Sequence, residues 1–164
     1  MELTIDLKNY NNTDDIFKRT ASRGIIYHEG KYLLICSKYG DHKFPGGGVK
    51  KGETPEAALI REVREETGFI VIPSSIHYYG IVHERRKGDY NDILEMDSHY
   101  YICEVWEKAT NRNLDEYEKE YEYTVAWMTL EEALKHNRDD VNMDICPWTK
   151  RDTTVMQHLL NCRK

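Results

Sequence analysis

Two strand-like apolar runs, Gly24-Ile-Ile-Tyr27 and Lys31-Tyr-Leu-Leu-Ile-Cys36, flank His28-Glu29-Gly30, and this pattern predicts a β-hairpin. Residues 1–20 are polar, with Leu3, Ile5 and Leu7 alternating as an edge strand. Thr54 ahead of Pro55 reads as the cap and first turn of a helix that runs to Thr67 and stops at Gly68. Within that helix Leu59, Ile60 and Val63 share one arc and face the core. Residues 69–72, 76–82, 99–106 and 121–128 read as strands. Thr129 caps a short helix through Leu134, and a last helix covers 153–160. The polar, turn-rich stretch 84–97 reads as a long loop, a kind of segment that often carries function. No repeat or linker interrupts the chain, so residues 1–164 read as one domain.

Composition narrows the function. Hydrophobic residues make up 40% and charged residues 32%, enough for a core beneath a solvated surface. A net charge of −6 argues against a nucleic acid polymer as partner, because polyanions are normally held by basic faces. A small phosphorylated ligand stays compatible with it if a cation neutralises the local charge. Cys36, Cys103, Cys146 and Cys162 are widely spaced and form no paired zinc spacing, so free thiols are expected. The chain opens with neither a basic start nor an apolar stretch, and its apolar runs fall far short of the roughly 20 residues that span a bilayer. A cytoplasmic protein with no membrane partner is expected.

The chemistry concentrates in the first helix. Glu62, Glu65 and Glu66 fall within an arc of roughly 100°. Two such charges 4 Å apart repel by about 4 kcal/mol at an effective dielectric near 20. Arg61, four residues before Glu65, offsets only a few tenths of a kcal/mol. A hard divalent cation relieves the repulsion directly, since Mg²⁺ prefers carboxylate oxygens. A Glu-rich surface helix is the plain alternative. Ahead of the helix, Gly46, Gly47 and Gly48 let the backbone turn and approach closely where a side chain would clash.

Together these form a recognisable pattern: Gly47, five residues, Glu53, seven residues, Arg61-Glu62-Val63, one residue, Glu65-Glu66, one residue, Gly68-Phe69. Residues 47–69 resemble the Nudix box at every defining position, and most of residues 20–135 resemble that hydrolase family. The resemblance implies an α/β fold, a mixed sheet sandwiched between helices. It implies hydrolysis of a diphosphate linkage with Mg²⁺, or Mn²⁺ as a substitute. It implies Glu65, Glu66 and the Gly46 carbonyl as metal ligands, with Glu62 as ligand or general base. Arg61 and Glu53 match the pair that orients these carboxylates. Some relatives add a carboxylate from before the last strand; Glu118, Glu120 and Glu122 are the candidates, with Glu120 and Glu122 favoured as nearest Trp127.

Arg23 resembles an arginine that contacts substrate phosphate in some relatives, and a plain strand-edge residue is the alternative. The cluster Arg85, Arg86 and Lys87 could steer a phosphate, but a solvated turn is the favoured reading; His83 and His99 read as structural, and Trp148 and Tyr27 as packing residues, with stacking on a base as the alternative. The proline of many ADP-ribose hydrolases would fall near Glu84 and is absent, as are the extra motifs of NADH and coenzyme A hydrolases. A (deoxy)nucleoside triphosphate, oxidised forms included, is favoured by elimination. ADP-ribose or a nucleotide sugar, and a non-catalytic nucleotide sensor, are the alternatives. A homodimer paired through the Leu3-Ile5-Leu7 segment is a further expectation.

Overall fold

The computed structural model describes residues 1–106 and 110–162. Strand β1 (Glu2–Asp6) is followed by the long β2 (Ile16–His28) and by β3 (Lys31–Cys36). The short β4 (His42–Lys43) and β5 (Gly46–Gly48) lead into helix α1 (Pro55–Thr67). Strands β6 (His77–Lys87) and β7 (Ile93–Cys103), the short helix α2 (Glu116–Glu120), and β8 (Thr124–Met128) come next. Helices α3 (Leu130–Asp139) and α4 (Thr149–Cys162) complete the order. The sheet is mixed, in the order β1-β6-β7-β2-β3-β4, with β5 on β2 and β8 on β3. β1 runs parallel to β6 and β2 parallel to β7.

Successive residues along a strand face opposite sides, and the core divides accordingly. Ile25, Leu34 and Tyr100 pack with Leu134, Val155 and Met156 of α3 and α4. Their neighbours Ile26, Leu33 and Tyr101 pack with Leu59 and Val63 of α1. The sheet is therefore covered by helices on both faces, the expected α/β/α arrangement.

The α1 boundaries match the sequence reading: Thr54 accepts from the Ala57 amide at 3.2 Å, and Gly68 is left-handed at φ 80°. Elsewhere the structure corrects it. The supposed loop 84–97 is the paired ends of β6 and β7, where Glu84 faces Met96 and Lys87 faces Ile93. Its inward positions are filled by Glu84 and Arg86, both buried, so alternation is present but written in charged residues. Among the described residues, 69–72 make one bridge, Val71 to Val105, before a 3₁₀ turn at Pro73–Ser75. The segment carrying Leu3 and Ile5 does form the expected edge strand, β1, paired with β6 of its own chain. α4 begins at Thr149, four residues before the expected start. Among the described residues no helix is long and apolar enough to cross a membrane.

Candidate active site

Gly46 adopts φ 141°, and a Cβ there would collide with the Ser22 carbonyl of β2. That close approach lets the Gly46 amide donate to Glu66 Oε2 at 2.7 Å, anchoring the loop to α1. At Gly47 a Cβ would stand 2.5 Å from Glu62 Oε2, so glycine is what admits the Glu62 carboxylate. Arg61 organises the cluster. It grips both oxygens of Glu53 at 2.8 Å, donates to the Gly48 carbonyl at 2.9 Å, and reaches Glu62 at 2.6 Å and Glu65 at 3.1 Å. Hydrogen bonds from Arg61 hold the Glu53 carboxyl down at about 2. Glu62 and Glu66 go the other way: burial pushes both carboxyls up, against the pull of Arg61 on Glu62 and of Lys43 on Glu66. Burial likewise depresses the Lys43 ammonium, whose Nζ lies 3.9 Å from Glu66.

Glu53, Arg61, Glu62, Glu65, Glu66 and Gly46 are thus brought together. Arg23 joins them, buried, donating from Nη1 to the Gly46 carbonyl at 3.2 Å. Glu120 and Glu122 do not: both are exposed. Glu118 is the residue turned inward, 2% exposed, and its charge is felt at Glu62 and Glu66. A capping box explains this, because Glu118 Oε2 accepts from the Asp115 amide at 2.8 Å and fixes the side chain beneath α2. The Asp115-x-x-Glu118 spacing carried that signal, hidden within an acidic run.

Beside the cluster lies a cavity of about 390 Å³, within the size range of small-ligand sites. Arg19, Arg23, Lys43, Arg86 and Arg151 line it together with Gly46 and Gly47. Arg86 is therefore a buried pocket residue and no part of a solvated turn. Arg151 carries no signal in the sequence, being a lone arginine outside every motif. Trp148 also lines the cavity, stacked on Tyr121 at 5.9 Å and bonded to Asp41 at 2.8 Å. Tyr27 sits half-exposed on a different groove. His83 pairs with Asp97 at 2.7 Å, away from the cluster.

Among the described residues no three acidic or imidazole side chains converge as a ready-made metal cage. Glu62 and Glu65 are instead turned onto Arg61. The donor set nevertheless suits a hard divalent cation: all its side-chain ligands are carboxylate oxygens, and two carboxyls are held up by burial and like-charged neighbours.

Comparison with known proteins gives the family and the fold. The model of the NUDIX domain matches residues 18–149. An ADP-ribose pyrophosphatase of Methanocaldococcus jannaschii is 44% identical over 69 residues, 40% of this chain and 40% of the relative. An 8-oxo-dGTP diphosphatase of Escherichia coli is 41% identical over 51 residues, 27% of this chain and 40% of the relative. An RNA pyrophosphohydrolase of Psychromonas ingrahamii is 46% identical over 46 residues, 27% of this chain and 25% of the relative. The matches thus span 40% or less of each of these relatives. Among solved structures, a MutT protein from Bacillus halodurans aligns with a TM-score of 0.59 at 18% identity, covering 87% of this chain and 82% of that one. A MutT NUDIX hydrolase from Burkholderia pseudomallei aligns with a TM-score of 0.56 at 20% identity, covering 70% and 85%. These two likenesses concern the fold. With a family model that matches most of its length and a glycine loop and carboxylate helix built as described, this chain belongs to the Nudix family.

Proposed function

We propose that the chain is a pyrophosphohydrolase that cuts the diphosphate linkage of a small nucleotide-like substrate, with Mg²⁺ as its ion and Mn²⁺ as a substitute. The observation that carries this reading is the placement of an acidic cluster, fixed by Arg61, beside a basic cavity in an otherwise acidic chain. Glu62, Glu65, Glu66 and the Gly46 carbonyl would hold the metal, which supplies charge neutralisation at phosphoryl oxygens and activation of water. Glu53 and Arg61 keep the carboxylates in place. Arg23, whose buried Nε has no hydrogen-bond partner among the described residues, is the donor for a substrate phosphate. Glu62, its carboxyl raised by burial, is suited to accept the proton of the attacking water, and Glu118 is the second candidate.

A (deoxy)nucleoside triphosphate, oxidised forms included, is the favoured substrate. ADP-ribose is the second reading, favoured by the name of the Methanocaldococcus relative. Glu65→Gln tests the assignment of roles. Calorimetric titration with Mg²⁺ should show weakened binding, and turnover should drop about 100-fold with the melting temperature unchanged. Wild-type turnover in the variant contradicts the role given to Glu65.

A further inference from the structure

The cavity beside the carboxylate cluster has two unlike parts. Gly46, Gly47, Arg23 and Lys43 make the end that touches Glu62 and Glu66. The other part carries apolar and aromatic side chains. Phe17 of β2 and Leu94 and Met96 of β7 line it from the sheet. Tyr117 of α2, Tyr121 at the end of that helix, and Trp148 just before α4 line it from the helical side. Leu94 and Met96 are buried with Ala21 in a small cluster apart from the two main cores, so an apolar floor opens onto the cavity.

Trp148 is fixed on two sides. Its Nε1 donates to Asp41 Oδ2 at 2.8 Å, and its ring stacks on Tyr121 with centroids 5.9 Å and planes 18° apart. Tyr39 and Tyr117 brace Tyr121 edge-on, at 5.7 and 6.2 Å. Such rings are set before a ligand arrives, which lowers the cost of ordering them on binding. Yet they are not sealed away: Trp148 is half-buried, Tyr117 is 46% exposed and Phe17 is 50% exposed. Single exposed rings are common, but half-exposed rings that converge on one cavity above a buried apolar floor offer a flat ligand a place to stack.

The polar tips of three rings on this wall are already spent. The Trp148 N–H goes to Asp41, the Tyr117 hydroxyl donates to Glu118 at 3.1 Å, and the Tyr123 hydroxyl accepts from Lys43 at 2.5 Å. The wall therefore presents faces. A site that pairs with a ligand's polar edge can reject an analogue by about 10⁴-fold, whereas stacking tolerates any base because each has a π-face.

We propose that Trp148, backed by Tyr121 and faced by Phe17 and Met96 of the sheet, holds the nucleobase of the substrate by stacking, so that purine nucleotides are preferred and adenine and guanine are accepted alike. Oxidised guanine is then admitted without being singled out. This rests on the pyrophosphohydrolase reading, but its test needs no turnover.

AMP, GMP, CMP and ribose 5-phosphate carry no anhydride to cut, so their binding is measured by calorimetry with Mg²⁺ present. AMP and GMP should bind about tenfold more tightly than ribose 5-phosphate and within about threefold of each other, with CMP between. Both purine nucleotides should quench tryptophan fluorescence. Trp148→Leu should remove most of that quenching and bring AMP within about twofold of ribose 5-phosphate. Trp106 and Trp127 line a different groove and should give an unquenched background. If thermal melting shows Trp148→Leu unfolded, Phe17→Ala replaces it, trimming a half-exposed ring, and AMP should lose about threefold in affinity. Four results overturn the proposal: equal binding of AMP and ribose 5-phosphate by wild type, a gap unchanged in a folded variant, a tenfold or greater choice between AMP and GMP, or no saturable binding. Purine binding through Trp148 in a protein that hydrolyses nothing would leave the subsite standing and remove the hydrolase reading. Turnover in a protein indifferent to the base does the reverse.

Discussion

Gly47→Ala separates positioning from folding. Gly47 pairs with Ser22 in the β2–β5 ladder, and its φ is not in the left-handed region, so an alanine fits the backbone. The added Cβ would stand 2.5 Å from Glu62 Oε2, 2.6 Å from its carboxyl carbon and 2.8 Å from Oε1. Ordinary contact begins near 3.4 Å, so the carboxylate must retreat by about 1 Å. That movement breaks the 2.6 Å bond from Arg61 but involves only the end of a flexible side chain. The stability change should stay within about 1 kcal/mol, since Gly→Ala also restricts the unfolded chain by a compensating amount. A misplacement of about 1 Å at a reacting group costs about 100-fold in rate. The assay is kcat for phosphate or pyrophosphate release, with the melting temperature measured on the same preparation. A folded Gly47→Ala protein with kcat within about twofold of wild type would refute the placement of Glu62 in the chemistry. Gly46→Ala is the contrasting control: its Cβ meets backbone, at φ 141°, so it should lose the fold as well as the activity.

Three more predictions follow from the same geometry. Glu118→Gln should lower turnover about tenfold or more, while Glu120→Gln and Glu122→Gln, both exposed, should stay within about twofold. Asn137, fully buried, satisfies both the amide and the carbonyl of His42 at 2.7 and 2.9 Å. Asn137→Ala should therefore cost about 2–4 kcal/mol in urea unfolding, and a loss below about 0.5 would refute that accounting. Burial, and secondarily the nearby His136, lowers the folded His42 pKa below its usual 6.5. Below that value the unfolded chain binds a proton the native site refuses, so stability should fall as pH drops from about 7 and level off below the folded value. The urea midpoint should show this slope between pH 7 and 5 and show less of it in His42→Gln.

The parts legible in the sequence are those set by local rules. Thr54, Pro55 and Gly68 bound α1 because caps act within a turn, and the spacing of Glu62, Glu65 and Glu66 fixes their common side. What depended on distant chain was not legible. The ends of β6 and β7 were hidden because Glu84 and Arg86 occupy inward positions that usually hold apolar residues, and the Arg151 guanidinium that justifies a buried Glu84 comes from α4. Only the Asp115-x-x-Glu118 capping spacing sets Glu118 apart from Glu120 and Glu122, and within an acidic run it does not stand out until α2 turns Glu118 inward. Arg151 became a pocket residue only once α4 packed against α3 and the sheet beside β2.

The central claim is that the carboxylates of α1 work with a divalent cation to hydrolyse a diphosphate linkage. Its most direct test is release of phosphate and pyrophosphate from a panel of nucleoside triphosphates, ADP-sugars and dinucleotides, with Mg²⁺ and with EDTA. The account predicts turnover of at least one compound with Mg²⁺, none with EDTA, and loss of that turnover in Glu65→Gln. Turnover that survives EDTA, or a folded, Mg²⁺-binding protein that cleaves none of the panel, would contradict it.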